Sequence, residues 1–234
     1  MPRTAWVSAL AGLVLLTAAP VAWNLAQTPD TVGDLDVVVA PVQDAAPEPP
    51  PAPELGPWGD GLTPQQPARA VEQEPVTAPV SLRLPSLGVV APLDAVGLES
   101  DGAMEIPHDI RRVGWYELGV KPGAPAGTAV LSGHVDSREQ GRGALWGLRT
   151  MDVDDEITVE HEDGRTTTWR VVARTSYVKE QLPIPEIFTR FGDPRLVLIT
   201  CGGDFDRAAR RYTHNVVVYA VPVSDAEADS DQAA

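Results

Sequence analysis

The sequence predicts an all-β domain over residues 79–223, flanked by segments that cannot build a core. Three observations carry that prediction. Short runs rich in Val, Ile and Thr recur between Gly, Pro and Asp, few segments of the domain have helical period, and the composition turns polar on either side.

Residues 1–28 come first. Arg3 precedes a stretch with no charged side chain from residue 4 to 29, mostly Ala, Leu and Val. At about 1.5 Å per residue, such a stretch crosses a hydrocarbon core of about 30 Å as a helix. A cleaved signal peptide shares the basic start and apolar run. The length of the run and the lack of a clean Ala-x-Ala site favour a retained single-pass anchor. In both cases the remainder is expected outside the cytoplasm, at the cell membrane or secreted. Residues 29–78 are rich in Pro, Ala, Gln and acidic side chains, which suits a disordered, extended spacer. Residues 224–234 read as a disordered acidic tail.

Inside the domain, strands are expected at 81–85, 127–132, 156–160, 166–172, 196–200 and 215–221. The clearest hairpin joins 156–160 to 166–172 through Asp163-Gly164. Short helical turns are expected near 110–113 and 185–191. A barrel or closed sandwich of seven or eight strands fits this order.

The net charge of -15 is mostly a property of the flanks. Residues 79–223 hold 16 basic and 20 acidic side chains, whereas residues 1–78 hold 2 and 9 and the tail adds 4 acids. No basic stripe is present to neutralise phosphates, so nucleic-acid binding is excluded as a reading.

Cys201 is the one cysteine of the chain and has no intramolecular disulfide partner. Buried cysteines often serve as small hydrophobes. Here, however, the apolar run 195–200 leads into Thr200-Cys201-Gly202-Gly203, which places the thiol at a strand end, where glycines leave the sulfur approachable. A nucleophilic thiol also needs a base or a cation. Among the four histidines, His161 reads as solvated in the hairpin turn, His108 as a loop residue, and His214 as the lead-in to a strand. His134 repeats the arrangement at the cysteine, because the run 129–131 ends through Ser132-Gly133, and it is the acid/base candidate. Arg207, Arg210 and Arg211 precede strand 215–221 and would return past the thiol if the two strands are antiparallel, as cationic donors for an oxyanion. One Cys and scattered His give no metal-ligand spacing, and Asp152, Asp154, Asp155 and Glu156 lack a calcium-loop pattern. No metal or cofactor is expected.

Three segments together are specific: Leu131-Ser132-Gly133-His134-Val135-Asp136-Ser137, Leu198-Ile199-Thr200-Cys201-Gly202-Gly203-Asp204-Phe205-Asp206, and Asn215-Val216-Val217-Val218-Tyr219-Ala220. With residues 104–115, they resemble the sortases over residues 79–223, most closely the class F group of high-GC Gram-positive bacteria. The resemblance implies an eight-stranded sortase β-barrel with short helices, Cys201 as acyl-thioester nucleophile and His134 as acid/base. It also implies an oxyanion-holding arginine before the last strand and Thr200 orienting the substrate. There are two departures. Some relatives carry the arginine after the loop tyrosine, whereas Tyr212 here is followed by Thr213-His214; the assignment therefore goes to Arg211, with Arg210 as runner-up. Val197 stands where relatives often have Thr.

The implied reaction cleaves an LPxTG-like sorting signal of secreted proteins and passes the acyl group to water or to an amine acceptor of cell-wall or pilin type. Two alternatives stand beside it: a non-catalytic exported β-barrel that binds peptides, and another cysteine acyl-transferase acting on peptidoglycan peptides.

Overall fold

The computed structural model describes residues 31–35 and 76–223. The anchor expected at 1–28, most of the 29–78 spacer and the 224–234 tail lie outside these residues. Among the described residues no helix is long and apolar enough to cross a membrane.

The strands are β1 (Thr31–Gly33), β2 (Pro79–Leu84), β3 (Val89–Val96), β4 (Val113–Tyr116), β5 (Thr128–Ser132), β6 (Asp136–Ser137), β7 (Gly141–Arg142), β8 (Glu156–His161), β9 (Thr166–Val178), β10 (Arg195–Asp206) and β11 (Arg211–Pro222), with a one-turn helix α1 (Ile184–Ile187). Eight of them close a barrel in the order β9-β11-β10-β5-β4-β3-β2-β8 and back to β9. The pairs β3–β4 and β5–β10 are parallel, and the other barrel pairs are antiparallel.

The continuous apolar runs of β5 and β10 follow from their position. A strand covered on both faces has no need to alternate. Leu131, Leu196, Leu198, Val216 and Val218 point into the barrel with Leu82 and Trp169. Their neighbours Val130, Val197, Ile199, Val217 and Tyr219 form a second cluster on the outside, where Ile187 of α1 packs over them. Val197 is 1 % exposed in that cluster, so an aliphatic side chain suits the site.

Three local expectations need correction. Residues 110–113 form no helix. Arg112 N–H donates to the Asp109 carbonyl at 3.0 Å in a turn, and Val113 enters β4 opposite Leu93, because four residues gain less from a helical turn than from a sheet ladder. The turn expected at 185–191 is helical only as α1, with Pro185 in its first turn. His161 is not solvated. It closes β8 at 3 % exposure, with its ring nitrogens 3.2 Å from the Thr77 carbonyl and 3.2 Å from Thr167 Oγ1, since the lead-in to β2 runs across it.

The stretch read as a spacer also contributes structure. Thr31–Gly33 adds β1 to β9 antiparallel, with Thr31 Oγ1 2.8 Å from Thr175 Oγ1.

Candidate active site

Cys201 lies within β10 opposite Asn215 of β11, and the strand runs on to Asp206. The expected strand end is therefore a bulge: the ladder slips between Gly202 and Phe205. Gly203 sits at φ 70°, and a Cβ there would fall 2.3 Å from His214 Nδ1. Glycine alone lets the two strands cross this closely. The bulge breaks the two-faced burial of β10, and the Cys201 side chain is half-exposed just ahead of it.

His134 follows β5, where the chain leaves the barrel for the β6–β7 hairpin. Gly143 brings that hairpin back, with its N–H donating to the Val135 carbonyl at 2.8 Å, and a Cβ on Gly143 would lie 2.2 Å from the His134 carbonyl oxygen. The segments carrying Cys201 and His134 are also tied to each other. Thr200 Oγ1, buried at 3 % exposure, donates to the Gly133 carbonyl at 2.8 Å. That bond joins the residue before the cysteine to the residue before the histidine.

Both side chains line one open cleft of about 870 Å³, together with Lys179, Arg207, Arg210 and Arg211. The β10–β11 connection thus does return past the thiol. Its tight turn is held by Asp206, whose carboxylate accepts from Ala208 N–H at 2.8 Å and Ala209 N–H at 3.0 Å; the bonds from Ala209 and Ala208 keep this carboxyl below its ordinary value. Arg210 occupies the left-handed region at φ 51°. Arg211 Nη2 lies 3.2 Å from Glu180 Oε1 in an exposed ion pair. At the cleft wall the Tyr212 hydroxyl donates to Asp136 Oδ2 at 2.8 Å, and partial burial together with that bond raises the phenol above its ordinary value, so it stays a donor.

Sequence reading missed Lys179. Its Nζ lies 3.6 Å from Cys201 Sγ. It sits in a polar turn after β9, and nothing in its neighbours marks it out; β9 pairing with β11 brings it to the thiol. Of the other histidines, His108 lines a separate cleft with Asp94 and Arg112. His214 belongs to β11 rather than preceding it, and with Cys201 it lines a second, smaller cavity.

The arrangement can form and resolve an acyl-enzyme. It offers an accessible sulfur, an imidazole in the same cleft, an ammonium at the sulfur and a guanidinium cluster on the connection beside it.

Among solved structures the chain is similar to a lid mutant of sortase A from Corynebacterium diphtheriae (20 % identity, TM-score 0.48, 64 % of this chain and 71 % of that one). It is also similar to sortase C1 from Streptococcus agalactiae (19 %, TM-score 0.48, 62 % and 66 %). A third is sortase C-1 from Actinomyces oris (22 %, TM-score 0.48, 62 % and 73 %). No curated protein sequence matches the chain. The sortase-domain family model matches residues 82–223, well over half of the chain and nearly all of the barrel, and on that match the chain belongs to the sortase family, whose members are cysteine transpeptidases.

Proposed function

We propose that this chain is an extracytoplasmic, membrane-anchored class F sortase that cleaves an LPxTG-like signal and transfers the acyl group to an amine. The observation that carries this reading is the shared cleft of Cys201 and His134, with Lys179 Nζ 3.6 Å from the sulfur. The class F assignment is supported by the segments around His134, Cys201 and Asn215, and the anchor by the uncharged residues 4–29.

In the first step the Cys201 thiolate attacks the carbonyl carbon of the Thr-Gly bond. The tetrahedral oxyanion is held by Arg211, or by Arg210 beside it. The carbon–nitrogen bond breaks as protonated His134 passes its proton to the leaving amine, giving a thioester. In the second step the acceptor amine attacks that carbonyl and yields a proton to His134. The thiolate leaves, and a new amide forms. Thr200, donating to Gly133, keeps the nucleophile and the acid/base in register. Secreted proteins with C-terminal sorting signals are the proposed clients, and cell-wall or pilin amines the proposed acceptors.

Mass spectrometry of the chain incubated with an LPxTG peptide library tests this. A thioester adduct on Cys201 and a cut between Thr and Gly are expected, and both vanish in Cys201→Ala. A reactive thiol that forms no adduct with any such peptide, but one with muropeptides, would reassign the chain to peptidoglycan chemistry.

A further inference from the structure

The second cavity reaching Cys201, about 310 Å³, is lined by Trp146, Arg149, Arg174, Asp204 and His214 as well. Arg174 is the unusual member. It stands on β9, 5 % exposed, and its Nε donates to the Met151 carbonyl at 2.7 Å. Its side chain lines the cavity that reaches Cys201, so a buried guanidinium stands at that cavity with a backbone carbonyl as one partner. Burying a charge is costly, and an anion entering the cavity offsets part of that cost. Arg149 adds a second guanidinium to the lining, stacked 4.4 Å above the Trp146 ring, where it is fixed rather than free. Asp204, exposed at the rim, is the lone carboxylate set against these two arginines in the lining.

We infer that this cavity is the acceptor subsite, and that it selects an amine carrying a carboxylate, with Arg174 and Arg149 binding the carboxylate while the amine reaches the Cys201 thioester. The inference rests on the acyl-transfer reading above. Two features assign the cavity to the acceptor rather than to the sorting peptide. It has less than half the volume of the cleft that holds His134, and both spaces meet at Cys201. An extended peptide fits the larger space, while a short amine bearing an acid fits the smaller one. Planar guanidinium forks suit a carboxylate through paired N–H donors.

Binding is read first without chemistry, by NMR titration of the full chain with glycylglycine and with glycylglycinamide, following the Trp146 indole N–H. The dipeptide is expected to shift that signal at concentrations about tenfold or more below those its amide requires, the size of one charge-assisted hydrogen-bonded contact. Arg174→Met is expected to erase the difference. Arg149→Gln, an exposed position that folds regardless of the buried site, is expected to reduce it. Equal responses to the two dipeptides, or a preference untouched by both variants, would overturn the inference. Transpeptidation with the same pair then asks which substrate brings the acid. Preference for the free-acid acceptor supports the assignment. A Glu-over-Gln preference within the sorting peptide, with no acceptor preference, refutes it. Failure to form any acyl-enzyme while the titration still discriminates would sink the sortase-type reading alone.

Discussion

Thr200→Val isolates the bond that couples the two reactive segments. The substitution keeps shape and removes one hydroxyl at a site 3 % exposed, and it leaves the Gly133 carbonyl without its 2.8 Å donor. A buried acceptor stripped of its partner costs about 1–3 kcal/mol, and the added apolar burial of a methyl returns somewhat under ~1 kcal/mol. A net loss of about 1–2 kcal/mol lowers Tm by roughly 2–8 °C for a domain of this size. Gly133 N–H still donates to the Ile199 carbonyl at 3.2 Å, so β5 and β10 remain paired and the barrel persists. What changes is the registry of His134 against Cys201. Displacements of about 1 Å cost up to 10²-fold in rate, so kcat is expected to drop at least ~10-fold while Cys201 remains open to iodoacetamide. Thermal melts and steady-state cleavage check both numbers. Thr200→Ser keeps the hydroxyl and is expected to retain most of the activity; a Ser variant as impaired as Val, or a Val variant with unaltered Tm and kcat, refutes the coupling.

Lys179→Met removes the ammonium 3.6 Å from the sulfur and is expected to slow alkylation of Cys201 by iodoacetate more than by neutral iodoacetamide, with Lys179→Arg restoring the ratio. Arg211→Ala is expected to lower kcat by about 10²–10³ with KM little moved, as an oxyanion donor acts in the transition state; steady-state kinetics that show no loss there but a loss in Arg210→Ala transfer the role. The Asp94–Arg112 pair joins β3 to the turn before β4, and hydrogen bonding from Arg112 lowers the Asp94 carboxyl from its ordinary 3.8. Because the folded value is the lower one, its stabilisation is complete above pH 3.8 and is lost as pH falls through the folded value. Both side chains are over a third exposed, so Asp94→Asn is expected to cost no more than about 1 kcal/mol at neutral pH and nothing in strong acid, by urea melts across that range.

The placement of Cys201 and His134 at one cleft was legible because a glycine stands beside each at the close of an apolar β run, although β10 continues past the cysteine to Asp206. The parallel strands β3 and β4 were not. Pro92 and the exposed Val90 mask the first, and the second has four residues, so neither shows a period. His161 was misread because its burial comes from Thr77, some eighty residues earlier in the chain, and no local pattern reports that contact. Lys179 was invisible for the same reason: its meaning depends on β9 pairing with β11 rather than on its own neighbours. The bulge lay between these cases. Two glycines announced a departure from regular strand, yet whether the strand ended or slipped depended on β11 continuing alongside.

The geometry also separates the cations by reach. Asn215 stands opposite Cys201, and Arg211 opposite Asp206, four residues further along β11. At about 3.3 Å per residue, that places the Arg211 backbone roughly 13 Å from the register of the thiol along a straight strand, more than an arginine side chain spans unaided. The ladder slips between Gly202 and Phe205, and the guanidinium is paired with Glu180 on the element that carries Lys179, so reaching the thiol means leaving that pair. Lys179 needs no such movement. An oxyanion role for Arg211 therefore competes with its pair to Glu180, whereas the charge beside the resting sulfur is supplied by Lys179. Glu180→Gln separates the two, because it frees the arginine and leaves the lysine in place.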